Sequence, residues 1–235
     1  MIAEPRAMLV TGARKGIGRF LVEYYTDRGY RVAGCSRKPS DFEHPNYRHY
    51  EADVCDERAM TRLFGKLRND LGGLDILINN AGVASMNHFI LTPTATVRRI
   101  METNVLGTFT CCREAVKLIT AGKRPGRIVN MSTVATPLNL EGEAAYAASK
   151  AAVVSLTKIL AREVADLGIT VNAVGPAPVE TDLIRSVATE KMEALLDRHP
   201  IRRYGTFEDV VNVIDFFLRP ESNGVTAQVI YLGGV

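Results

Sequence analysis

Short apolar runs recur along this chain, and most are followed by an amphipathic stretch long enough to form a helix. That alternation is the signature of βα units, which assemble into a parallel sheet. Strands are expected near residues 7–11, 31–36, 47–52, 74–79, 127–132, 170–175 and 228–232. Helices are expected near 16–28, 57–71, 94–120, 144–167, 182–198 and 206–218. Runs such as MLV, ILI and VIYL are apolar throughout, as strands covered on both faces must be. With right-handed crossovers the result is one doubly wound α/β domain over residues 1–235, a seven-stranded parallel sheet with helices on both faces.

The rhythm breaks over residues 176–204, where Pro176, Pro178 and Pro200 surround the amphipathic stretch LIRSVATEKMEALL. Open parallel sheets bind ligands beyond the carboxyl ends of their strands. An excursion after the sixth strand is therefore expected to serve as a substrate lid. The alternative is a packed pair of surface helices.

Composition narrows the function classes. The net charge of +3 is spread along the chain, and no basic block suggests a nucleic-acid partner. No apolar run approaches the roughly 20 residues that span a bilayer. Glu4, Pro5 and Arg6 stand where a secretory signal needs apolar residues. Cys35, Cys55, Cys111 and Cys112 show no metal-ligand spacing, which favours buried thiols and no metal site. A cytoplasmic enzyme is expected.

The first strand runs directly into Thr11-Gly12-Ala13-Arg14-Lys15-Gly16-Ile17-Gly18, ahead of the first helix. Glycines permit a tight turn there and let phosphates approach backbone N–H groups at the positive end of the helix. The second strand ends at Ser36-Arg37-Lys38, without the acidic side chain that would bond a ribose 2′-hydroxyl. Arg37, with Arg14 and Lys15 from the glycine turn, suits a 2′-phosphate instead, which points to NADP(H). The alternative is that these are solvated loop cations.

Tyr146 and Lys150 form YAASK on an expected helix, and i,i+4 spacing puts them on one face. A lysine ammonium beside a phenol favours the phenolate, so Tyr146 suits general acid or base work.

In the TGxxxGxG turn, NNAG and YAASK together, the chain resembles the short-chain dehydrogenase/reductase family, and most closely its 3-oxoacyl-carrier-protein reductases. The resemblance runs along nearly the whole chain and implies a Rossmann-type fold. It also implies an NADP(H)-dependent oxidoreductase that interconverts a carbonyl and a hydroxyl.

Carried over, the resemblance places Asp53 and Val54 at the adenine, although Asp53 also suits a helix cap. It places Asn80, Ala81 and Gly82 along the cofactor, and Pro176, Val179 and Thr181 near the nicotinamide. Lys150 would bond the nicotinamide ribose, and Asn104 would hold a relay water unless it is a core amide. The catalytic hydroxyl falls thirteen residues before Tyr146 on Thr133, or fourteen before on Ser132. Strand alternation would send the two side chains to opposite faces, and the usual loop length favours Thr133, whereas a loop one residue longer favours Ser132.

Arg124 matches a basic position suited to an acidic carrier, whereas Leu167 replaces a second basic residue. Ala227 stands where glycine is common. The implied partner is a small ketone or alcohol, free or bound to an acyl carrier, and the implied assembly is a homotetramer or homodimer. Sugar, polyol and steroid ketones are alternatives, as is a non-catalytic NADP(H) sensor or scaffold.

Overall fold

Alternation within single strands lets one sheet support two cores. In the computed structural model, which describes residues 5–182, 184, 187 and 189–235, β1 (Ala7–Thr11) turns Ala7 and Leu9 to one face. Met8 and Val10 go to the other. The remaining strands are β2 (Arg31–Ser36), β3 (Tyr47–Glu51), β4 (Ile76–Asn79), β5 (Gly126–Met131), β6 (Ile169–Gly175) and β7 (Val229–Tyr231). They lie in the order β3-β2-β1-β4-β5-β6-β7, and every pairing is parallel. The winding direction switches between β1 and β4, where such sheets open a ligand crevice.

The described helices are, in chain order, α1 (Gly16–Thr26), α2 (Glu57–Leu71), α3 (Thr94–Met101), α4 (Gly107–Ala121), α5 (Ala135–Leu138), α6 (Ala144–Glu163), α7 (Thr189–Leu196) and α8 (Phe207–Leu218). Leu63, Phe64 and Leu67 of α2 pack with Ala115 and Leu118 of α4 on one face of the sheet. Leu21 and Tyr25 of α1 pack with Ile214 and Phe217 of α8 on the other. Each large apolar side chain buried this way contributes about 1.5–3 kcal/mol. Helix α6 is long and apolar enough to cross a membrane, yet it lies along β6 and α3 as part of this cover.

Three departures from the sequence expectations bear on the site. The expected helix over 94–120 is interrupted by a π turn, Glu102–Leu106. Its wider winding carries the fully buried Asn104 inward. The expected helix over 144–167 ends at Glu163, and a 3₁₀ turn follows at Ala165–Leu167. Of the helix expected over 182–198, only Thr189–Leu196 is found as α7. Leu183, Arg185, Ser186 and Ala188 lie outside the described residues.

A buried polar chain fixes the register at the centre of the sheet. Asn79 donates to Asn130 at 2.8 Å, and Asn130 donates to Thr157 on α6 at 2.9 Å. Near the last strand, Ala227 adopts a φ of 61°. A side chain in that left-handed region is strained, which accounts for the glycine common there.

Candidate active site

Two hollows meet at the carboxyl ends of the strands and share a wall formed by Ile17, Asn80, Gly82, Ala84 and Thr181. The larger is a groove of about 670 Å³ bordered by Gly12, Arg14, Lys15, Gly16, Ser36, Arg37, Asp53 and Val54. The smaller is a pocket of about 200 Å³ bordered by Ser132, Thr133, Glu143, Tyr146 and Lys150.

Backbone shape defines the groove. Gly12 has φ 68° and Gly16 has φ 57°, conformations that other residues rarely adopt. At Gly18 a Cβ would come within 2.3 Å of the Gly12 carbonyl oxygen, so the turn closes only on glycine. Asn80 clamps the turn, donating to the carbonyls of Thr11 at 3.0 Å and Gly12 at 3.2 Å. The Thr11 hydroxyl in return accepts from the backbone N–H of Asn80 and Ala81.

Helix α1 starts at this turn with no side-chain cap and no acidic residue in its first turn. Its first N–H groups therefore need acceptors from outside the helix, and the positive end of its dipole faces the groove. A pyrophosphate fits that end, and a 2′-phosphate fits the corner where Arg37 and Arg14 stand without a carboxylate on the Ser36–Arg37 turn.

The polar groups around that corner differ in what they are free to do. Lys15 borders the groove and is also paired with Asp182 at 2.8 Å, linking the glycine turn to the excursion after β6. Ser36 donates to the Lys38 carbonyl at 2.6 Å and lies 2.9 Å from His49. Asp53 accepts from the Cys55 N–H at 3.0 Å, and it is Asp56 that caps α2, accepting from Ala59. Asp53 therefore keeps its place on the groove wall rather than serving as the cap. Sequence reasoning missed Arg99 and Thr103, which also border the groove. They sit on the interrupted α3 segment, where periodicity gave no signal.

The pocket is mostly apolar, and its polar groups converge at one corner. Tyr146 stands in the first turn of α6, and burial pushes its phenol up to about 12, with Glu143 adding to the rise. Hydrogen bonding with the Thr133 hydroxyl works in the opposite direction. Thr133 also accepts from the Ala135 N–H at 3.2 Å.

Lys150 donates to the Met131 carbonyl at 2.8 Å, and burial lowers its ammonium to about 8. The expected lowering of the phenol by Lys150 is absent from this arrangement, in which the ammonium is bonded to the Met131 carbonyl and burial and Glu143 set the rise. Asn104 donates to Val83 O and Ser149 Oγ and accepts from Val83 N–H, each at 2.9 Å. A Cβ on Gly82 would lie 3.3 Å from Asn104 Oδ1 and 3.4 Å from Lys150 Nζ, so glycine there lets both side chains approach the shared wall.

Strand alternation does not separate Ser132 from Thr133, contrary to expectation. Strand β5 ends at Met131, so Ser132 and Thr133 lie beyond the pleat and both border the pocket. Ser132 Oγ is buried without a hydrogen-bond partner, whereas the Thr133 hydroxyl lies against the phenol.

From the excursion after β6, Pro176, Val179, Thr181, Ile184, Met192 and Leu195 border the pocket. Val179 is held by a bridge to Gly205. Arg124 lies at the amino end of β5, opposite the site, and pairs with Asp75 at 3.2 Å. Glu143, Met86 and Leu140 are pocket residues that the sequence reading missed. Only Glu143 left a signal, three residues before Tyr146.

Known proteins place this geometry in a family. The family model described as Enoyl-(Acyl carrier protein) reductase matches residues 12–234. The 3-oxoacyl-[acyl-carrier-protein] reductase FabG of Vibrio cholerae is 32% identical over 240 residues, covering 100% of this chain and 98% of that protein. Its Escherichia coli counterpart is 32% identical over 237 residues, covering 98% and 97%.

Among solved structures, Thermoplasma acidophilum aldohexose dehydrogenase, free of ligand, superposes with a TM-score of 0.88 at 28% identity, covering 98% of this chain and 94% of that one. ElxO with NADP bound superposes with a TM-score of 0.88 at 30% identity, covering 97% of both chains. The chain belongs to the short-chain dehydrogenase/reductase family of oxidoreductases.

Proposed function

We propose that this chain is an NADP(H)-dependent carbonyl reductase acting on a neutral 3-oxoacyl thioester, free or on an acyl carrier. One observation carries the reading: a groove suited to phosphates opens through a shared wall onto an apolar pocket where Tyr146, Thr133 and Lys150 gather. The NADP-bound ElxO neighbour and the FabG relatives support the cofactor and the substrate class.

When bound, NADPH supplies a hydride to the carbonyl carbon. Tyr146 gives its proton to the carbonyl oxygen as negative charge develops there. A phenol pushed up to about 12 is protonated at neutral pH, which suits the reducing direction. The Thr133 hydroxyl donates to the same oxygen, a bond that strengthens with the charge. Lys150, close to the shared wall, is placed to exchange the Met131 carbonyl for a ribose hydroxyl and to keep positive charge near the phenol. The excursion after β6 acts as the lid, excluding water through Ile184, Met192 and Leu195.

Exposed apolar side chains at Leu106 and Phe109 on the π turn and α4, and at Ile159 on α6, support a homo-oligomer. Light scattering should accordingly give a multiple of 25.7 kDa.

The deciding assay follows NADPH absorbance with an acetoacetyl thioester of N-acetylcysteamine, an aldohexose and a simple ketone. Thioester-dependent loss of NADPH is expected. Turnover confined to the aldohexose would overturn the substrate class, and no turnover with any of them would overturn the reductase reading.

A further inference from the structure

Glu143 gives no proton to the reacting oxygen, yet it stands on the pocket wall three residues before Tyr146. It occupies the N-cap of α6, and its side chain makes no bond to the helix N–H groups. Among the described residues its carboxyl has no hydrogen-bond or ion-pair partner.

The groups that face it are few. From its own helix come Tyr146 and Lys150, the other titratable residues on the pocket wall. The segment after β5 offers Ser132 and Thr133, and the excursion after β6 offers Thr181 among apolar side chains, so among the described residues neither brings a cation to the wall. Arg198 donates to the Leu138 carbonyl at 2.7 Å without bordering the pocket, and Glu141 is exposed. Burial alone raises the Glu143 carboxyl to about 7. Near neutrality the group therefore exists both as an acid that can donate and as an anion that can repel.

We propose that Glu143 determines substrate selectivity: as the acid it donates a hydrogen bond to the carbonyl oxygen beside the reacting one in a 1,3-dicarbonyl substrate, and as the carboxylate it excludes anionic substrates. The inference rests on the pocket being the ketone site. Spacing favours it, since three helical residues rise about 4.5 Å, a separation over which Tyr146 and Glu143 can each take one of two neighbouring oxygens. Charge favours it too, because among the described residues Lys150 is the one cation on the wall that an anionic substrate would meet.

Steady-state kinetics with NADPH, comparing neutral ethyl acetoacetate with anionic acetoacetate, test it. For the ester, KM of the unmodified chain should rise at least about tenfold between pH 6 and pH 9 as the donor titrates. Glu143→Gln keeps a donor but cannot ionise. Its KM for the ester should stay low and flat with pH, and its discrimination against acetoacetate at pH 8 should fall at least about tenfold. Glu143→Ala should raise KM for the ester at the lower pH, with the change falling on KM rather than kcat. A Gln variant that keeps the unmodified pH profile, or an Ala variant with unchanged KM, would overturn the proposal.

Calorimetric binding of ethyl acetoacetate to the NADP⁺-loaded chain separates this idea from the reductase reading. Affinity that depends on Glu143 without any turnover would sink the reductase reading and keep this one. Turnover with affinity indifferent to Glu143 would do the reverse.

Discussion

The groove and the pocket share a wall but are made of different material. The groove is backbone: positive-φ glycines, the uncapped start of α1 and carbonyls clamped by Asn80, all within a few residues of β1 and β4. The pocket is side chain, gathered from the segments after β4, β5 and β6 and roofed by α7. A backbone cradle binds what all such substrates need, a phosphate-bearing cofactor, and tolerates little variation. A wall of side chains can change one residue at a time, so it is where substrate choice resides. Damage to the groove should therefore appear in cofactor affinity, and damage to the pocket corner should appear in turnover.

The sharpest way to break that division lies at the corner. Thr133→Val keeps size and branching while deleting the donor, and loss of one such hydrogen bond costs about 2.7–4 kcal/mol, or roughly 10²–10³ in kcat. NADPH affinity should stay close to normal by calorimetry. Ser132→Ala should cost far less turnover. Should Ser132→Ala be the crippling change and Thr133→Val the mild one, the donor is the unpartnered Ser132 hydroxyl.

A smaller effect is expected on the groove side. The unmodified chain should bind NADPH at least about tenfold tighter than NADH, roughly 1.4 kcal/mol. Arg37→Asp should reverse that order, since an acid at this turn bonds a 2′-hydroxyl and repels a 2′-phosphate. Equal affinities in the unmodified chain would remove the 2′-phosphate from the account.

The same contrast explains what was legible in the sequence. Strand runs and the glycine turn depend on neighbours a few residues away, so spacing alone located them. Lys15 borders the groove as expected, but its ion pair left no trace in the sequence because the partner, Asp182, is 167 positions distant. Residues 132 and 133 were separated by an alternation that stops at Met131, a boundary set by pairing with β6 rather than by local preference. The π turn that seats Asn104 looks like ordinary helix in sequence, because the amide's partners Val83 and Ser149 lie 21 and 45 positions away. The burial of Glu143 carries no signal in the sequence because it depends on the excursion after β6, whose pocket residues lie more than 30 positions away.

If the groove binds while the pocket corner reacts, Tyr146→Phe should separate the two. The substitution removes the proton and leaves the ring in place. On the thioester substrate, kcat should fall by roughly 10²–10⁴ while calorimetric affinity for NADPH changes by no more than about twofold. Unaltered turnover, or a loss of NADPH affinity as large as the loss of turnover, would contradict it.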